Sequence, residues 1–349
     1  MKNFRSRGLL RLSTLLVAMI LVGCGGQDHS ESPTEPGHTE TQDQSSHSFH
    51  HLAVTADGWK GAGTAGPITA EMHSYFADVS LDAHLLAPGS PIFPISYVIE
   101  EVDDLGITQE PQLVMAKAKG APVVAVGSLV SKPTAAMIWL KKSRIRNIGD
   151  LKGKTIAYPG LPFQKGFLKS ILARAGLTLR DVKIEFVEYH LVSALVNGRA
   201  DAIFGGSWNQ EGVELETQGL EPVVTRVQDL GIPAYDELVV IARSDRVAED
   251  PRLIEDFMSA VNRGTAAALK SPYLAIESLK ASPEVNPALG HPKLARAEIH
   301  ATLPLLAKGG YMDPARARRL IDWMYGQGLI KKKPPVSEIL TNRYLRRDS

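Results

Sequence analysis

Thr155-Ile156-Ala157-Tyr158 is a short apolar run, Pro159-Gly160-Leu161-Pro162 interrupts it, and Gln164–Ala175 then carries apolar residues at three- and four-residue spacing. The run fits a strand, the prolines and glycine a stiff turn, and the longer period a crossover helix. The same unit recurs on both sides. Strands are expected at Leu52–Ala56, Asp82–Ala87, Leu105–Thr108, Val123–Leu129, Ala136–Leu140, Ile184–Val187, Ala202–Phe204, Pro222–Arg226 and Leu238–Ala242. Helices are expected between most of them, at Thr64–Phe76, Pro94–Glu101, Pro111–Lys119, Leu191–Asn197 and Gly212–Gln218. After Asp250 the periodicity is helical through residue 330. The class is α/β. The order of blocks predicts two lobes around a cleft, joined near Lys141–Ser143 and Pro233–Glu237, with the C-terminal helices on the first lobe. The expected division is 51–141 plus 238–349 for lobe 1 and 142–237 for lobe 2.

The chain has 349 residues, 44% of them apolar, with 39 basic against 38 acidic side chains. This suits a folded protein of two packed lobes and provides no basic field for a nucleic-acid backbone. Lys2, Arg5, Arg7 and Arg11 precede an apolar stretch, Leu12–Val22, that is too short for the roughly 20 residues of an untilted membrane span. It reads as an export signal over residues 1–23. Leu21-Val22-Gly23-Cys24 resembles the bacterial lipoprotein box, which implies cleavage before Cys24, a lipid on its sulfur and attachment to a membrane. Residues 24–50 are polar and contain a single large apolar side chain, Phe49, so they read as a disordered tether. The histidines His29, His38, His47, His50 and His51 have irregular spacing there and are read as solvated rather than metal-binding.

No nucleophile elbow, zinc-protease helix, phosphate loop or dinucleotide fingerprint is present, and the one cysteine, Cys24, excludes a thiolate cluster. The body therefore reads as a binding protein without catalytic residues, metal or cofactor. Its informative residues lie at predicted strand ends, where open α/β sheets place ligands. These are Asp57 and Trp59, Ser90, Gln109, Tyr158 and Phe163, and above all Gly205-Gly206-Ser207-Trp208-Asn209-Gln210-Glu211-Gly212. Trp208 offers a flat apolar face, Asn209 a donor and an acceptor, and Glu211 a charged acceptor, a set suited to a flat nitrogen heterocycle. The alternative is a core tryptophan and a glutamate favoured by the helix dipole. Asp236 is a further candidate.

At these residues the chain resembles the ABC-transporter solute-binding proteins related to binders of thiamine pyrimidine precursors, sulfonates and nitrate. Asp104-Leu105-Gly106-Ile107-Thr108-Gln109-Glu110-Pro111-Gln112-Leu113 is similar to the family's D-x-x-I-x-x-x-P-x-L segment, followed by Gly120-Ala121-Pro122-Val123-Val124. Asp150-Leu151-Lys152-Gly153-Lys154-Thr155-Ile156 and Gly198-Arg199-Ala200-Asp201-Ala202 match two more of its segments. Trp208-Asn209-x-Glu211-Gly212 resembles the motif of hydroxymethylpyrimidine and formylaminopyrimidine binders. The first strand departs from that subgroup, carrying Ala56-Asp57-Gly58-Trp59-Lys60-Gly61 where D-W-x-P-N-x-x-H is familiar.

The resemblance implies a two-lobed type II periplasmic-binding-protein fold and reversible ligand capture. It also implies delivery to an ABC permease driven by its ATPase, with the protein lipid-anchored and facing the periplasm or the cell exterior. A flavin, a sulfonate such as taurine, or nitrate is the alternative ligand, and a sensory or scaffold lipoprotein the alternative role. A pyrimidine-synthesising enzyme of the same fold would need a histidine- and cysteine-rich iron site.

Overall fold

Val123–Val130 is buried along its whole length although it ends its sheet, because later chain covers its outer edge through bridges to Leu306 and Leu340. In the computed structural model, which describes residues 50–56, 61–87, 93–188, 190–282 and 287–345, this strand belongs to the first of two mixed sheets. The strands are β1 (His50–Thr55), β2 (Leu81–Leu86), β3 (Leu105–Thr108), β4 (Val123–Val130), β5 (Ala135–Leu140), β6 (Thr155–Tyr158), β7 (Lys183–Phe186), β8 (Ala202–Ser207), β9 (Pro222–Arg226) and β10 (Leu238–Arg243). The sheet orders are β2-β1-β3-β10-β4 and β7-β6-β8-β5-β9. Strands β1, β2 and β3 run parallel, as do β6, β7 and β8. In the first sheet β10 runs antiparallel to both neighbours, and in the second β5 does so. Each lobe is thus a parallel α/β unit completed by one reversed strand. The cysteine of the lipoprotein box, Cys24, lies outside the described residues.

The helices are α1 (Ala65–Met72), α2 (Phe93–Ile99), α3 (Glu110–Ala118), α4 (Pro162–Arg174), α5 (Leu191–Val196), α6 (Val213–Thr217), α7 (Ser244–Glu249), α8 (Pro251–Lys270), α9 (Pro272–Ala281), α10 (Pro292–Thr302), α11 (Pro314–Gly326) and α12 (Val336–Ile339). Three of the late helices begin alike. Asp250 accepts the N–H of Leu253, Ser271 that of Leu274 and Asp313 that of Ala315, each with proline as the next residue. A polar cap followed by proline is a strong start signal, because proline lacks the N–H that would be unpaired there. Among the described residues no helix is long and apolar enough to cross a membrane.

The α8 helix presents Leu253, Ile254, Phe257, Met258 and Val261 to the core beneath the first sheet. It crosses α1 closely, since a Cβ on Gly264 would lie 2.1 Å from the carbonyl oxygen of Gly66. The α11 helix is placed differently. Its buried Ala317, Leu320, Ile321 and Met324 share a core with Val123 and Ala125 of the first sheet and with Phe163 and Phe167 of α4.

The chain passes between sheets after Val130 and again between Arg226 and Leu238. Grouping residues 51–141 together on sequence puts β5 with the first lobe. Its hydrogen bonds to β8 and β9 put it in the second. An apolar run predicts a buried strand, whereas its partners are set by residues some 65 to 90 positions downstream, beyond any local signal.

Candidate functional site

The parallel strands of both sheets aim their carboxyl ends at one cavity of about 490 Å³, within the usual range for small-molecule sites. Gln109 reaches it from the end of β3, and Pro159 and Leu161 from the end of β6. Ser207, Asn209 and Glu211 reach it from the end of β8, and Glu298 and Thr302 from α10. Leu161, Leu191, Val130 and Leu238 supply apolar wall.

Beyond β8 the segment Trp208–Gly212 forms a single π-helical turn, a local widening that re-aims side chains. The turn folds Glu211 back so that Oε2 accepts the N–H of Ser207 at 2.6 Å. Burial pushes this carboxyl up to about 7, the Ser207 N–H opposes the shift and Glu214 adds to it. Asn209, only 1% exposed, donates from Nδ2 to Thr302 Oγ1 at 2.7 Å, which links the second lobe to α10. Its Oδ1 is buried without a partner.

Gln164 donates to the carbonyl oxygen of Gly205 at 3.2 Å, and its Oε1 is likewise buried and unpartnered. Gly205 sits at φ +85, and a Cβ there would lie 2.6 Å from the Gln164 amide, so glycine is required beside this side chain. Glu298, 2% exposed, completes the group. Burial first, then Glu211 and Glu214, push its carboxyl up to about 8. Glu188 and Glu237 also line the cavity, and among its described lining residues there is no lysine or arginine. A buried polar atom without a partner costs about 1–3 kcal/mol, so a lining of unpaired acceptors favours a ligand rich in N–H donors.

The residues singled out on sequence divide into three sets. Gln109, Asn209 and Glu211 line the cavity together. Asp57, Trp59 and Ser90 lie outside the described residues. The remaining four are placed elsewhere. Trp208 packs between two cores with the Arg226 guanidinium 3.9 Å above its ring, and it is not part of the cavity wall. Its indole N–H points to the carbonyl of Pro133 at 3.4 Å. Phe163 is 1% exposed and packs edge-on against Phe167, its i,i+4 neighbour on α4. Tyr158 ends β6 with its ring edge-on to Phe186. Asp236 is 1% exposed and bound to Ser128 Oγ at 2.7 Å and to Arg316 at 2.6 Å.

Sequence reasoning passed over Gln164, Glu214, Glu237, Glu298 and Thr302. Glu298 had a signal, because it falls on the apolar face of α10 with Leu294, Ala295, Ile299 and Thr302. A charge on a buried stripe needs a reason.

Residues 62–275, more than half of the chain, match the family described as NMT1/THI5 like. The chain belongs to this family. A Haemophilus influenzae protein whose name refers to thiamine biosynthesis is 30% identical to this NMT1/THI5-like chain, over 82% of it and 90% of the relative. The formylaminopyrimidine-binding protein of Halalkalibacterium halodurans is 29% identical over 80% and 79% of the two chains. A Schizosaccharomyces pombe relative, 28% identical over 58% of this chain and 61% of its own, is named 4-amino-5-hydroxymethyl-2-methylpyrimidine phosphate synthase. The solved alkanesulfonate-binding protein SsuA of Xanthomonas axonopodis pv. citri superposes with a TM-score of 0.65 at 17% identity, over 83% of this chain and 98% of that one. The fold of this NMT1/THI5-like chain is accordingly the two-lobed fold of periplasmic binding proteins.

Proposed function

We propose that this chain is a solute-binding protein that captures a pyrimidine precursor of thiamine, of the hydroxymethylpyrimidine or formylaminopyrimidine type, between its lobes. The observation that carries the reading is the pair of unpartnered acceptors Asn209 Oδ1 and Gln164 Oε1 beside Glu211 and Glu298, in a wall whose described residues include no lysine or arginine. An aminopyrimidine presents exocyclic amino hydrogens and, when protonated, a ring N–H, and a carboxylate accepts both. A sulfonate or nitrate would find no lysine or arginine among the described lining residues and would face five glutamates, Glu188, Glu211, Glu214, Glu237 and Glu298. The names of the Haemophilus and Halalkalibacterium relatives support the same ligand class.

In this reading the protein is exported, a lipid on Cys24 holds it to a membrane and residues 24–50 tether the body. The lobes close on the ligand and the closed form docks on an ABC permease with its ATPase. Binding rather than synthesis is favoured because the chain carries a single cysteine, placed before the body.

Calorimetry on the full chain in detergent, with 4-amino-5-hydroxymethyl-2-methylpyrimidine, riboflavin and ethanesulfonate as probes, tests the ligand. Saturable binding of the pyrimidine and none of the sulfonate is expected. Binding of the sulfonate alone would discard the pyrimidine, and binding of riboflavin alone would replace it with a flavin.

A further inference from the structure

On the outer face of the first sheet, β1 and β2 pair in parallel with His51 opposite Asp82 and Ala53 opposite His84. Side chains two apart on a strand share a face, and β2 alternates strictly between buried and exposed residues with Asp82 and His84 on the exposed side. His51 stands beside them. Its Nδ1 lies 3.0 Å from Asp82 Oδ2, and His84 Nε2 lies 2.9 Å from Asp82 Oδ1. One ligating atom from each of the three residues lies within 4.8 Å of the others. On the far side of the His84 ring, Glu71 of α1 sets Oε1 3.5 Å from Nδ1. None of these four residues lines the ligand cavity.

We propose that His51, Asp82 and His84 form a binding site for a divalent transition metal ion of the zinc class. Two imidazole nitrogens and one carboxylate oxygen are a donor set that suits zinc, and three protein ligands leave a fourth position for water or for a donor from another molecule. Glu71 supplies the feature that a chance surface cluster lacks. A carboxylate facing the second ring nitrogen leaves Nε2 turned toward the other donors, the outer-shell arrangement typical of metal-bound histidine. The donors stand on paired strands, which hold position better than loops. Without a metal the same contacts amount to exposed ion pairs, worth little to stability, so stability alone gives no account of their convergence.

The test is a titration of the full chain, stripped with chelator, with Zn²⁺ followed by calorimetry and with Cu²⁺ followed by electron paramagnetic resonance. One zinc per chain is expected, and the copper spectrum should show two coordinating nitrogens. His84→Asn and Asp82→Asn should each weaken zinc binding more than tenfold, and Glu71→Gln by about tenfold. Asp82→Asn and Glu71→Gln keep the side-chain shape while His84→Asn shortens it, and melting in chelator verifies that each variant folds. A variant with His29, His38 and His47 changed to Asn should bind as the parent does. No stoichiometric zinc uptake would overturn the site, as would uptake that survives His84→Asn and Asp82→Asn but vanishes in the upstream variant.

Discussion

Glu237 Oε2 accepts the backbone N–H of Thr134 at 2.6 Å, so the second passage of the chain between the sheets is bonded directly to the first. Arg316 of α11 repeats the connection from outside. It donates to the carbonyl of Ser131 at 3.0 Å and to both oxygens of Asp236 at 2.6 and 2.7 Å. The two passages behave as one clamped pair. Lobe movement must therefore use rotations that leave these bonds intact, and the cavity walls keep a fixed pivot beside Glu237.

Arg316→Met should be the costliest single change at this pivot. It strands the Asp236 carboxyl, 1% exposed, without its counter-charge, and breaking a buried pair from one side costs about 3–5 kcal/mol. Asp236→Asn combined with Arg316→Met should recover part of that loss. A double-mutant cycle in urea measures it, and a loss in the double variant equal to the sum of the two single losses would show that the pair is uncoupled.

Glu211→Gln should weaken pyrimidine binding by about 1.5–3 kcal/mol, the worth of a charge-assisted hydrogen bond. Glu298→Gln should weaken it less if the pyrimidine bonds Glu211 directly and Glu298 adds only field. Calorimetry of both variants checks the order, and an unchanged affinity in Glu211→Gln would remove that carboxylate from the recognition set.

Glu298 and Glu211 keep their protons in the folded chain to about pH 8 and 7, against 4.5 for a free glutamate. The folded state then holds protons that the unfolded state has already released. Such groups contribute stability below the unfolded pKa and lose it as pH rises through the folded one. Without ligand, stability should fall between pH 4.5 and 8, and Glu298→Gln should flatten that slope. Denaturation at pH 5, 6.5 and 8 reads the difference, and parallel slopes would mean that Glu298 is ionised throughout.

Gly264→Ala forces a methyl to 2.1 Å from the Gly66 carbonyl oxygen, where backbone meets backbone. Overpacking of this kind costs about 1–3 kcal/mol, or more where nothing can yield. Gly326→Ala is the contrast, since a Cβ there meets nothing within 4 Å at the end of α11. It should be neutral or stabilise by up to about 1 kcal/mol. Urea midpoints compare the two.

Apolar runs and periodicity located every strand from β1 to β10 within two or three residues, because each is set by local alternation between chain segments that must be buried and turns that must not. The Asp-Pro and Ser-Pro pairs that open α8, α9 and α11 are local signals of the same kind. Which strand joins which sheet was not legible, and β5 was grouped with the wrong neighbours. At the cavity, Asn209 and Glu211 stand in the wall, as their types and spacing suggested. Trp208 stands outside that wall, on the core side that its alternative reading allowed, because a π-helical turn alters the angle between successive side chains and no periodicity tells which of Trp208 and Asn209 faces the cavity. Phe163 carried a warning in its i,i+4 partner Phe167, a spacing that marks a core pair. His51 and His84 are 33 positions apart, and only the parallel register of β1 and β2 brings them together.

The placement of β10 sets the order in which the molecule can be completed. A polypeptide leaving the ribosome has all of β4 once residue 130 is made, yet β4 has no sheet partner until β10 arrives between it and β3. Its isolated bridges, to Leu306 and Leu340, come later still. The second sheet needs nothing beyond residue 226. At about 5–20 residues per second, β4 waits about 5–20 s with an uncovered edge while a whole sheet forms downstream of it. The middle of the gene therefore encodes the sheet that can be completed first, and a nascent chain stalled before residue 238 exposes an apolar strand to whatever chaperone is at hand.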